Sequence, residues 1–139
     1  MELHRGRMID HVHLVVADLE ASRRFYRAVL GVLGIPEARH APDKAFGFDE
    51  LYVSTKELSA GKELTGRIHL AFATRDRSLV EKAYAAGLEA GGKDNGKPGD
   101  RPYHPGYFAA FLLDPDGNNI EIVYHGEAKY SADSVSINF

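Results

Sequence analysis

The chain has 139 residues, a net charge near −3 with both signs interspersed, and no cysteine. That length favours one domain able to bury roughly two-thirds of its unfolded surface. The absence of cysteine excludes disulfides and thiolate metal sites. No basic stripe points to nucleic acid or to an anionic membrane, no 18-residue apolar run points to a membrane span, and the start lacks an apolar signal core. A cytoplasmic protein acting on a small molecule is the expectation. No phosphate-cradling loop, dinucleotide fingerprint, HExxH or GxSxG occurs.

Ile9 to Ala17 is a β-branched run of strand type. Asp18 follows as an N-cap, with Glu20 in the first turn, and Ser22, Phe25, Tyr26, Val29, Leu30 and Leu33 then recur at helical spacing. Gly34 and Pro36 stop the helix. Residues 35–45 read as loop or weak strand, and Ala45–Val53 resumes strand character. After a polar connector at 54–66, a strand restarts at Arg67–Thr74. Asp76 caps a second helix through Val80, Ala83, Tyr84, Gly87 and Leu88.

Shifting the chain by 58 positions superimposes 9–35 on 67–93. It pairs His11 with His69, Asp18 with Asp76, Tyr26 with Tyr84, Ala28 with Ala86, Leu30 with Leu88 and Gly34 with Gly92. Roughly two identities are expected by chance. The matches fall at equivalent points of the same element order, which marks an internal duplication. Tyr26 and Tyr84 lie on the apolar helix stripes and are expected in the core, each with a partner for its hydroxyl. Half of residues 91–106 are Gly or Pro, so an irregular loop is predicted there. Two apolar runs then flank Asp114-Pro-Asp-Gly-Asn118, the signature of a β-hairpin with a turn longer than two residues. In the tail, Val135, Ile137 and Phe139 alternate and are expected to add an edge strand or to dock on a partner subunit.

Strand alternation separates two faces. Val12, Leu14 and Val16, then Ile68, Leu70 and Phe72, then Ile120 and Ile122 face the helices, while His11, His13, His69 and Glu121 fall on the opposite faces. Two imidazoles and a carboxylate converging on one concave surface are ligand types for a divalent metal: zinc, or iron(II) held by two His and one carboxylate. Such an ion acts as a Lewis acid on substrate oxygens. Tyr103, His104 and Tyr107 lead into the hairpin and are candidates for proton transfer or for hydrogen bonds to substrate, with His104 the proton carrier. His13 shares the parity of His11 and is placed, with Tyr103, as a substrate-lining residue.

The opening Ile9–Ser22, the second start Ile68–Phe72 and Asp114–Glu121 resemble the vicinal oxygen chelate superfamily, which includes glyoxalase I, extradiol dioxygenases, fosfomycin-resistance transferases and bleomycin-binding proteins. The resemblance spans residues 8–125. It implies an α+β fold of two βαβββ modules, 8–55 and 67–125, joined by connector 56–66 and followed by tail 126–139. The modules form a cup-shaped open barrel, often in a homodimer, and the cup closes within one chain or between two. The implied metal ligands are His11, His69 and Glu121. Glu50 is the implied fourth ligand or catalytic base, and a one-residue slip would turn Asp49 inward instead. Where bacterial glyoxalase I carries an arginine for glutathione, this chain has Val15, which points away from that co-substrate. The implied activity is a glyoxalase-like lyase or isomerase using zinc or nickel. The alternatives are an extradiol-type dioxygenase using iron(II) or manganese, and a metal-free bleomycin-resistance-like binding protein.

Overall fold

The computed structural model describes residues 2–6, 9–39 and 42–138. The first repeat comprises β2 (Val12–Val15), α1 (Leu19–Val32), β3 (Ala45–Phe48) and β4 (Leu51–Ser54). The second comprises β5 (His69–Thr74), α2 (Arg77–Glu89), β6 (Lys93–Asp100), β7 (Phe108–Leu113) and β8 (Asn119–Tyr124). Each helix begins as its sequence predicts. Asp18 accepts a hydrogen bond from the Ala21 amide at 3.0 Å, and Asp76 accepts one from the Ser78 amide at 2.9 Å, so each carboxylate satisfies an amide that has no partner within the helix. Ser22, Phe25, Tyr26, Val29 and Leu30 form the buried stripe of α1.

The strands form a three-stranded sheet, β2-β4-β3, and a four-stranded sheet, β5-β8-β7-β6. In both, the first strand runs parallel to the last strand of its repeat and forms an edge of the sheet. Three departures from the sequence reading have physical causes. Among the described residues the first repeat has three strands where four are implied. Residues 35–39 contribute one main-chain bond to the sheet, Ala38 N–H to the Gly47 carbonyl at 2.8 Å, while Ile35 N–H closes back on the Leu30 carbonyl of α1 at 2.9 Å and Pro36 has no N–H to extend a ladder. The glycine- and proline-rich stretch at 91–106 is not wholly irregular, because Lys93–Asp100 pairs antiparallel with β7 across two register shifts. Those bulges absorb the residues that cannot sit in a regular ladder. In the tail, β9 (Val135–Asn138) pairs with β1 (Glu2–Arg5), apart from both main sheets, so the expected edge strand joins the chain's own start. Phe139 lies outside the described residues.

Within one chain the two repeats meet through their helices. Glycines of the second repeat permit the close approach: a Cβ at Gly87 of α2 would lie 3.0 Å from Val29 Cγ2, and one at Gly92 would lie 2.6 Å from Phe25 Cε1. A single apolar cluster runs from Leu14, Phe25 and Phe46 to Val80, Leu112 and Ile122. A cavity of about 210 Å³ remains beside it, lined by Val12, Leu30, Phe48, Leu51, Leu70 and Phe72 among others. The helix-facing sides of both sheets therefore turn toward each other.

Asp114 ties the hairpin into this core. It is 4 % exposed, and its carboxylate accepts hydrogen bonds from the Tyr26 hydroxyl at 2.5 Å, the Asn118 side-chain amide at 2.9 Å, and the Asp116 and Asn118 main-chain amides at 3.0 and 2.8 Å. Burial, and then the Asp114 charge, hold the Tyr26 phenol well above its ordinary range, so it remains a donor. The counterpart Tyr84 hydroxyl donates to Asp94 at 2.8 Å, giving both repeat tyrosines a carboxylate partner. Among the described residues no helix is long and apolar enough to cross a membrane. Asp114→Ala leaves four donors, including a buried hydroxyl, without this acceptor and should lower stability by about 2–4 kcal/mol in urea unfolding. Tyr26→Phe, which removes one of those bonds, should cost about 1–2 kcal/mol.

Candidate metal centre

The Asp114–Asn118 turn also sets the strand after it. Asn118 Oδ1 accepts the Ile68 amide at 3.0 Å and the Asn119 amide donates to the Ile68 carbonyl at 2.9 Å, fixing β5 against β8 one residue before His69. The register then opposes His69 to Asn119 and Ala71 to Glu121. His69 and Glu121 consequently share a face two positions apart along the pair. His69 Nε2–H donates to Glu121 Oε1 at 2.9 Å. The carboxylate is 3 % exposed, whereas the His69 side chain is 52 % exposed.

The other carboxylate oxygen, Oε2, accepts from the Tyr107 hydroxyl. Tyr107 enters β7 across from the end of β8, and its phenol is pushed up to about 12, first by burial and then by its bond to Glu121 and the carboxylate's charge. It is therefore a proton donor to Glu121 throughout the neutral range. Around it stand Tyr103, His104 and His125, with ring centroids 4.9, 5.2 and 5.2 Å from that of Tyr107. His104 Nδ1–H donates to the Pro105 carbonyl at 2.9 Å. The neutral ring's Nε2 then accepts from His125 Nδ1–H at 3.0 Å. The two imidazoles stack at 25°. Gly106 and Gly126, both at positive φ, lie against each other beneath this pair. A Cβ on either would come within 3.1 Å of the other's Cα.

The first repeat places its candidates elsewhere. His11 Nδ1–H donates to Asp10 at 2.7 Å, and its side chain is 62 % exposed. His13 Nε2–H donates to Ser54 Oγ at 2.7 Å, whose own proton goes to the Thr55 carbonyl, and the imidazole rests edge-on against Tyr52 at 4.8 Å. Glu50 is not in a strand. With Asp49, at φ 41°, it forms the tight turn between β3 and β4, and its carbonyl accepts the Val12 amide at 2.7 Å. Register explains the displacement. His13 opposes Tyr52 as Ala71 opposes Glu121, so Tyr52 occupies the position in the first repeat that Glu121 occupies in the second. The structure thus gathers His69, Glu121, Tyr107, Tyr103 and His104 and leaves His11, His13 and Glu50 on the other repeat. Among the described residues no three His, Asp or Glu side chains stand together as a metal site.

Sequence reasoning missed His125, Tyr52 and Phe111, whose ring lies 6.0 Å from that of His69. The parity of His125 with Glu121 was a usable signal. Tyr52 needed the register, and Phe111 looked like any other core aromatic.

A family model described as the Glyoxalase/Bleomycin resistance protein/Dioxygenase superfamily matches residues 8–122. A virulence protein of Salmonella typhimurium is 29 % identical over 123 residues, covering 82 % of this chain and 81 % of that protein. A glyoxalase/bleomycin resistance protein from Albidiferax ferrireducens is 29 % identical, with a TM-score of 0.71 over 84 % of this chain and 98 % of that one. A lactoylglutathione lyase from Agrobacterium tumefaciens, at 19 % identity, shares the fold with a TM-score of 0.62 over 86 % of this chain and 95 % of that one.

The Tyr107 contact has a spectroscopic signature. A phenol whose folded-state value lies above its unfolded value of about 10 adds stability below pH 10, and that contribution is lost as pH rises through about 12. In an alkaline ultraviolet titration, subtracting Tyr107→Phe from wild type should leave one tyrosine ionising near 12. A difference component near 10 would contradict the Tyr107–Glu121 bond.

Proposed function

The chain belongs to the Glyoxalase/Bleomycin resistance protein/Dioxygenase superfamily, and we propose that within it this protein is a metal-dependent, glyoxalase-like lyase or isomerase acting on a small substrate that chelates through adjacent oxygens. The observation that carries this reading is the His69–Glu121 pair: a buried carboxylate and a half-exposed imidazole on the open face of parallel strands, 2.9 Å apart. An imidazole nitrogen and a carboxylate oxygen are donors that zinc, nickel, iron(II) and manganese accept, so the residues fit the ion in kind. They are half of a site. Because the two repeats of one chain meet through α1 and α2, with the His11 and His69 faces turned outward, the third donor is assigned to His11 of a second copy in a homodimer. A divalent ion held there supplies Lewis-acid polarisation of the substrate oxygens.

The chain's own residues do the rest. Glu121 is held in one orientation by His69 and Tyr107. The Tyr107 hydroxyl is a donor beside it, and the hydrogen-bonded His104–His125 pair packs against the Tyr107 ring as a path for a proton to or from solvent. These proton carriers beside the carboxylate favour a lyase or isomerase, whose chemistry is proton movement. Glu50, in the turn between β3 and β4, lines the cavity together with Ala71, the register partner of Glu121, and is retained as the candidate base. One observation favours the extradiol-type dioxygenase as a second reading. Tyr52 at the register position equivalent to Glu121 leaves two His and one Glu, the donor set of non-haem iron(II) oxygenases.

Purified without chelator or affinity histidines, the dimer should carry close to one divalent metal per chain by elemental mass spectrometry. His69→Ala and His11→Ala should each lose it. Mixed dimers of the two variants retain one intact pair of faces, so they should recover about half the wild-type metal. Wild-type protein that takes up no zinc, nickel, manganese or anaerobic iron(II) would contradict the metal centre, and no recovery on mixing would contradict its placement between copies. Oxygen consumption by iron(II)-loaded protein with a catechol, absent from the zinc form, would select the dioxygenase.

A further inference from the structure

Beside the candidate metal centre, the bulged strand β6 leaves a strip of the sheet without side chains, and one cation lies across it. Gly96 is opposite Phe111 and Gly99 opposite Ala109. A Cβ at Gly96 would meet the Phe111 ring at 3.0 Å and an Arg101 nitrogen at 3.4 Å, and one at Gly99 would meet Arg101 Nη1 at 3.0 Å. The glycines therefore make the room in which the Arg101 guanidinium lies, 5.4 Å above the centre of the Phe111 ring. Phe111 also adjoins the His69 imidazole, 6.0 Å between ring centres, and lies opposite Glu121 in the register, so Arg101 and His69 both contact the ring that borders Glu121.

The guanidinium is anchored but not neutralised. Its hydrogen bonds go to the Lys97 carbonyl at 2.7 Å and the Asp100 carbonyl at 3.2 Å, and no carboxylate pairs with it among the described residues. Asp94, an acid of the same strand, is occupied by the Tyr84 hydroxyl and the Gly96 amide. Arg101 has five N–H donors in a planar fork, and two main-chain carbonyls leave most of them unused. A cation held by its own backbone over an aromatic ring, one ring away from a candidate reacting centre, is a recognition group for an anion.

We propose that Arg101, with Phe111 beneath it, binds a carboxylate of the substrate, so that the molecule accepted at this site is a small carboxylic acid whose adjacent oxygens reach the His69–Glu121 end. The proposal rests on the reading of His69 and Glu121 as the reacting end of the cup, but it requires no metal to be observed.

Tartrate, which carries vicinal oxygens and carboxylates, its neutral diamide and inorganic phosphate serve as probes in calorimetric titrations of the full chain, once chelator-treated and once zinc-loaded. Tartrate should bind wild type on the order of tenfold to a hundredfold more tightly than the diamide in both forms. Arg101→Gln should abolish that preference, and Arg101→Lys should keep part of it. Zinc uptake and the melting temperature of both variants should match wild type, which a purely structural clip on β6 would not allow. Gly99→Ala, which pushes the guanidinium aside while keeping its charge, should weaken tartrate without changing the diamide, and it decides the matter should Arg101→Gln fail to fold. No tartrate binding by wild type, or equal preference in wild type and Arg101→Gln, would overturn the proposal. Phosphate binding as tightly as tartrate would overturn the carboxylate assignment. Failure of zinc uptake with the Arg101-dependent preference intact would remove the metal-centre reading and leave this one standing.

Discussion

A buried carboxylate, that of Asp114, is the constraint on which the rest depends. A charge at that depth persists only where donors surround it, and four do: two amides of its own turn, the Asn118 side chain and the Tyr26 hydroxyl from the opposite repeat. One group thus shapes the five-residue turn, fastens α1 to the second sheet, and holds Asn118 where it captures the Ile68 amide. With Ile68 fixed, the register of β5 against β8 is fixed, and a slip of one residue would send His69 to the helix side of the sheet.

That register makes the duplication asymmetric. In the second repeat the diagonal pair is His69 and Glu121, and in the first the same positions hold His11 and Tyr52. The ancestral symmetry persists in the caps, the helix stripes and the paired tyrosines, which serve folding. It is broken on the face opposite the helices, where His69 and Glu121 of the second repeat answer to His11 and Tyr52 of the first. The second sheet alone adds a lining of Tyr103, His104, Tyr107, Phe111 and His125. The first contributes two exposed imidazoles, His11 and His13, along its edge strand and no carboxylate at the position of Glu121, which is why a second copy is invoked to complete the donor set.

Much of this was legible in the chain. Asp18 and Asp76 as caps, the buried stripe of α1, the turn at Asp114–Asn118 and the shared face of His69 and Glu121 all come from local chemistry or from period-two alternation. Glu50 shows the limit. The family resemblance implies Glu50, or Asp49 after a one-residue slip, on a strand face, but the antiparallel pairing of β3 with β4 puts both in the turn and the pairing with β2 gives Tyr52 the position equivalent to Glu121. Residues 93–100 show a second limit. Gly and Pro there signal an irregular loop, yet the neighbouring β7 supplies enough partners to order a bulged strand, a tertiary override that local propensity does not contain.

If His69 and Glu121 accept a metal together with His11, the second imidazole cluster must stay apart from it. Nitrogen-15 imidazole spectra recorded during zinc titration test this most directly. His69 and His11 resonances should shift together and saturate at one zinc per chain, with His104 and His125 unmoved at that stoichiometry. A spectrum in which His104 and His125 respond first, or in which His69 shifts while His11 does not, would contradict the shared centre.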